Sequence, residues 1–106
     1  MKCADYEACI EACLQCAAVC HRCANTLLMK KSMSTCTRLS LECAAVCTAA
    51  GTLLSFESEY SRQMCEICVE ICEKCATACA IHKTTECGEC IAACKKCIEE
   101  FNKCYK

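Results

Sequence analysis

The cysteines between positions 9 and 23 constrain this chain more than any other feature. Cys9, Cys13, Cys16, Cys20 and Cys23 step by four, three, four and three residues. That alternation is the seam rhythm of a helix packed against partner helices. Residues three and four apart on a helix are neighbours, with Cβ atoms about 5–6 Å apart. Leucine or isoleucine ordinarily fills such a seam; here thiols do.

The rhythm returns three times. Cys36, Leu39, Cys43, Cys47, Ala50 and Leu54 form a second seam that is poorer in thiol. Cys65, Cys68, Cys72, Cys75 and Cys79 form a third, and Cys87, Cys90, Cys94, Cys97, Phe101 and Cys104 a fourth. Lys30-Lys31-Ser32-Met33-Ser34 interrupts the pattern after Leu27, and the polar stretch from Ser55 to Ser61 supplies a turn. Asp5 suits the N-cap of the first helix, and Thr84 or Thr85 that of the fourth. Glu86 falls in a first turn, where the helix dipole favours an acid. Proline is absent and glycine occurs twice, which favours long helices. Helices of about 20 residues are about 30 Å long, and short loops make sequential helices antiparallel. The expected fold is all-α: one domain over residues 1–106, an antiparallel up-down-up-down four-helix bundle with a cysteine-lined core.

Stacking the seams antiparallel places Cys16, Cys47, Cys72 and Cys97 near one level, and Cys20, Cys43, Cys75 and Cys94 at the next. Ala50, Leu54 and Phe101 displace thiols at the end where the first helix begins. Cys36, Cys87, His82, Met29 and Met33 gather at the other. His82 follows Cys79 by three and reads as continuing the third seam. His21 is rotated about 100° off its seam and reads as a solvated flank. Cys3 lies outside the rhythm, as a ligand or a frayed terminal thiol. Ile10, Leu14, Val19, Ile67, Ile71, Ile91 and Ile98 flank the seams and suit helix packing or a subunit interface.

Nineteen cysteines in 106 residues admit three chemistries. Disulfide scaffolds are small and loop-rich; this chain is helical, has ample aliphatic residues, and its cysteine count is odd. Zinc and iron–sulfur sites gather four ligands around a centre, whereas these seams run continuously along four faces. Cu(I) is soft and selects thiolate and thioether. It accepts two or three ligands, so neighbours on one helix can hold an ion. Charge points the same way. Many buried thiolates are costly to desolvate, so the empty core holds mostly neutral thiols. A monovalent ion that replaces a thiol proton leaves the core charge unchanged, whereas a divalent ion at that loading does not. The candidate ligands are therefore Cys9, Cys13, Cys16, Cys20, Cys23, Cys36, Cys43, Cys47, Cys65, Cys68, Cys72, Cys75, Cys79, Cys87, Cys90, Cys94, Cys97, Cys104 and His82, for multiple Cu(I) ions. Copper is expected to enter at the end bearing Cys36, His82 and Cys87, with Met33 as a soft ligand on the way in.

The remaining features narrow the class. The net charge of −1, with mixed signs, does not point to nucleic acid. No apolar run approaches the roughly 20 residues of a membrane span. Met1 to Glu7 has no apolar signal core, and reduced thiols suit the cytosol. There is no Ser/His/Asp set or paired-carboxylate pocket, so no enzyme is expected and no catalytic residue is assigned.

The chain resembles the bacterial copper storage proteins of the cytosolic branch. The resemblance is carried by Tyr6-Glu7-Ala8-Cys9-Ile10-Glu11-Ala12-Cys13 with Cys16, Cys20 and Cys23, by the run Cys65 to Cys79, and by His82 ahead of Cys87, Cys90, Cys94 and Cys97. It implies a four-helix bundle whose lumen stores many Cu(I) ions in the bacterial cytoplasm, assembled as a homotetramer. Copper ions are the partner, and a copper chaperone or efflux protein is a candidate second one. One departure is the short loop before the fourth helix, with one histidine where a histidine-rich loop can occur. The competing reading is a zinc-buffering or redox-active thiol protein.

Overall fold

Four α-helices carry the computed structural model, which describes residues 6–31 and 34–105. They are α1 (Tyr6–Met29), α2 (Thr35–Ser55), α3 (Ser61–Cys79) and α4 (Thr85–Cys104). Helix α1 packs on α2 and α4, and α3 completes the square by packing on the same two. The bundle measures 43 × 18 × 18 Å, which is one helix length by two helix diameters. Asp5, Cys3, Ser32 and Met33 lie outside the described residues, and with them the Asp5 cap and the Met33 ligand.

The helix boundaries follow local chemistry. Ser34 caps α2, its Oγ accepting from the Thr37 N–H at 3.3 Å. Thr84, not Thr85, caps α4, its Oγ1 accepting from the Cys87 N–H at 3.0 Å. Each satisfies one of the orphan donors of a first turn. Past the ends of α1 and α2, Lys31 and Glu57 take left-handed backbone, with φ of 56° and 55°. Glycine ordinarily serves there, and its absence is why the sequence marks these stops weakly.

The buried face of each helix is its cysteine seam, with small residues beside it on α1: Ala12, Ala17 and Ala24 are buried. At Gly51 α2 faces α1: a Cβ built there would lie 3.4 Å from Cys13 Cβ and from Leu14 Cδ2, in ordinary contact. Ala50, Leu54 and Phe101 are buried at the end where α1 begins, as expected.

Two placements differ from the sequence reading. Leu39 is only half-buried, while Ser40 is fully buried. The α2 seam is therefore Cys36, Ser40, Cys43, Cys47, Ala50, Leu54. Both the three- and the four-residue step from Cys36 keep helical phase, and the four-residue step wins. Helix α3 ends at Cys79, so His82 does not extend its seam. It lies past a turn, with its N–H donating to the Cys79 carbonyl at 3.0 Å.

Candidate metal centre

Each helix contributes a column of thiols to one axis, and all four columns are out of water. The seventeen cysteines from Cys9 to Cys97 are free and buried. Cys104 differs: its sulfur is taken up in a disulfide, so a ligand role there requires reduction first.

Among the described residues, the sulfurs meet in five groups of four, each with its members within 4.8 Å of one another. From the α1 start toward the other end these are Cys47, Cys68, Cys72, Cys97; then Cys16, Cys43, Cys47, Cys72; then Cys16, Cys20, Cys43, Cys94; then Cys20, Cys75, Cys90, Cys94; and last Cys23, Cys36, Cys79, Cys87. Three members of each expected layer meet in one group. Cys97 and Cys75 shift to the adjoining groups, because helices packed side by side are staggered by a fraction of a turn. Contacts within a helix and across the bundle are alike in length. Cys43 Sγ lies 3.8 Å from Cys47 on its own helix, 3.6 Å from Cys72 of α3 and 3.9 Å from Cys16 of α1. Metal–sulfur bonds of about 2.3 Å let one ion join two sulfurs up to about 4.6 Å apart.

The end group is the tightest, with Cys36 Sγ 2.6 Å from Cys79 and Cys23 Sγ 3.2 Å from Cys87. Burial is the leading reason that the Cys23 and Cys36 thiols are pushed up. Deeper in, thiol–thiol hydrogen bonding divides the network. Bonds from Cys13 and then Cys65 hold the Cys9 thiol down at about 5, and the same bonds push Cys13 and Cys65 up. A thiolate is thus tolerated where neutral thiols donate to it.

His82 joins none of the five groups among the described residues. It lines a cavity of about 790 Å³ between α2 and α3 with Cys36, Leu39, Lys74, Ala78 and Ile81. Its Nε2 is buried and has no hydrogen-bond partner. Of the other residues placed near this end, Met29 is 77% exposed and not turned into the core. His21 is exposed, as expected. Ser40 is a core residue that the sequence reading missed; the signal for it was the strict four-three alternation of Cys36, Ser40, Cys43 and Cys47.

A helix bundle lined by stacked thiol quartets defines a class of soft-metal-binding protein, and comparison with known proteins gives the family. The copper storage protein family model matches residues 2–106, and the chain belongs to that family. It is 35% identical to the Cu(I)-bound copper storage protein BsCsp3, covering 94% of this chain and 97% of that one, with a TM-score of 0.88. Against a cytosolic copper storage protein from Streptomyces lividans, solved with five coppers, the identity is 32% over 92% of this chain and 88% of that one, with a TM-score of 0.83. The cysteine-rich protein YhjQ of Bacillus subtilis is 37% identical over 87 residues, 79% of this chain and 81% of the relative.

Proposed function

We propose that this protein stores multiple Cu(I) ions in the cytosol, held by the thiolates that line its core. The observation that carries this reading is the sharing of sulfurs between neighbouring groups. Cys47, Cys72, Cys16, Cys43, Cys20 and Cys94 each belong to two groups. Five separate tetrahedral zinc sites would each need four sulfurs of their own. Bridging thiolates suit a soft monovalent ion, which also replaces thiol protons without charging the core. The free seam cysteines are the ligands on this reading, with Cys104 available once reduced.

His82 and Cys36 mark the mouth, and the imidazole acts as a transient ligand that holds an ion without first losing a proton. Support comes from the unpartnered Nε2 and from the apolar plug at the opposite end. The single-domain reading is kept, and no catalytic step is assigned. Exposed Leu14, Leu41 and Ile67 support a homo-oligomer, a tetramer by family resemblance. A copper chaperone or efflux protein fits as donor or acceptor.

Metal analysis tests the central claim. Reduced protein purified from copper-supplemented cells and from zinc-supplemented cells should carry several coppers in the first case and little zinc in the second. Zinc in preference to copper would overturn the storage reading in favour of zinc buffering.

A further inference from the structure

The five sulfur groups fall into two sets. Four form a chain in which each neighbour shares two sulfurs with the next: Cys47 and Cys72, then Cys16 and Cys43, then Cys20 and Cys94. The fifth, Cys23, Cys36, Cys79 and Cys87, shares none and meets the column through Cys79, whose thiol hydrogen-bonds with Cys75 and Cys90. The junction is thin where α2 places Ser40 in its seam, fully buried, in place of a sulfur. Its Oγ lies 3.7 Å from Cys75 Sγ on the column side, and 3.9 Å from Cys79 Sγ and 4.0 Å from Cys36 Sγ on the mouth side.

A soft ion moves between thiolates by keeping one sulfur bond while it makes the next. Two shared sulfurs at each junction of the column allow that. A hydroxyl is a hard, neutral oxygen and does not replace a thiolate for Cu(I). We propose that Cys23, Cys36, Cys79 and Cys87 form a soft-metal site that fills and empties in a phase of its own, with Ser40 narrowing its junction with the column. The proposal rests on the copper-storage reading. The metal stays Cu(I) throughout, and each bound ion displaces a thiol proton to solvent.

Stopped-flow removal of copper tests it. Reduced full-length protein, loaded anaerobically with Cu(I), is mixed with an excess of a chromophoric Cu(I) chelator. Two phases are expected. The double variant Cys36→Ala/Cys87→Ala should lose the amplitude of the fast phase and keep the slow one. Ser40→Cys, a near-isosteric change, should merge the two phases, because a second sulfur beside Cys79 then joins mouth and column. Ser40→Ala should keep both, since it supplies no sulfur. Circular dichroism of each variant establishes that it is folded. A single phase in the unsubstituted protein, or two unchanged phases in folded Ser40→Cys, would overturn the proposal. So would an unchanged fast amplitude in Cys36→Ala/Cys87→Ala, which stands even if Ser40→Cys does not fold. A protein that takes up no more than one copper would instead refute the storage reading itself.

Discussion

Glu100 shows how a single residue at the bundle's margin answers to pH. Its carboxylate is buried yet accepts from Lys96 Nζ at 3.0 Å and Lys103 Nζ at 3.5 Å. The Lys96 hydrogen bond is the main cause holding its pKa below the ordinary carboxylate value. A depressed carboxyl gives stability that is present above its unfolded pKa and lost as pH falls through the folded one. The two lysines are well exposed, so the effect is a modest one. Glu100→Gln should therefore flatten the acid limb of a urea-midpoint curve against pH and leave the neutral limb nearly unchanged; parallel curves would show that other carboxylates govern acid unfolding. Residue type also decided what could be read from sequence. Cysteine is both apolar filler and soft ligand, so the seams carried the position and the chemistry of most core residues together. Ser40 carried the position in its spacing but not the chemistry. A serine is usually a surface residue, and next to Leu39 the hydrophobic choice pointed the wrong way.

At the level of helices, close approach and ligand supply can be varied independently. Gly51 sits inside α2, where glycine is about 0.5–1 kcal/mol worse than alanine. An added methyl would meet Cys13 and Leu14 at ordinary van der Waals separation. Gly51→Ala should raise the melting temperature of the reduced, metal-free protein by a few degrees; a fall would mean that α1 and α2 cannot accommodate the methyl. Helix α3 supplies sulfur to four of the five groups, through Cys68, Cys72, Cys75 and Cys79. Replacing Cys65, Cys68, Cys72, Cys75 and Cys79 with alanine should cut copper capacity severely while far-ultraviolet dichroism stays helical. Replacing Cys3 alone should change capacity little, and equal losses would show the seam assignment to be wrong. The helices themselves were legible from their period, whereas their stops were not. Lys31 and Glu57 end α1 and α2 without glycine, and the end of α3 at Cys79 put His82 in a turn that three-residue spacing alone could not foresee.

For the molecule as a whole, mostly protonated thiols and small aliphatic residues fill the core without metal. Ala12, Ala17, Val19, Ala24, Leu27, Ala44, Leu54 and Phe101 are all buried with the sulfurs. Reduced, metal-free protein should therefore give a helical dichroism spectrum, unlike loop-type thiol sites that fold only on binding; a disordered spectrum would sink this. The buried Phe101 has a wider consequence. With Ala50 and Leu54 it fills the core where α1 begins, so with entry at the His82 end, as proposed, the lumen acts as a blind tube rather than a pipe. A blind tube is a stack: what arrives first lies deepest and leaves last. Copper stored early should be the reserve drawn on only after later arrivals are spent. A pulse of one copper isotope followed by a second, then partial withdrawal by a chelator, should return mostly the second. Equal proportions of the two would mean that the ions trade places along the column faster than they leave it.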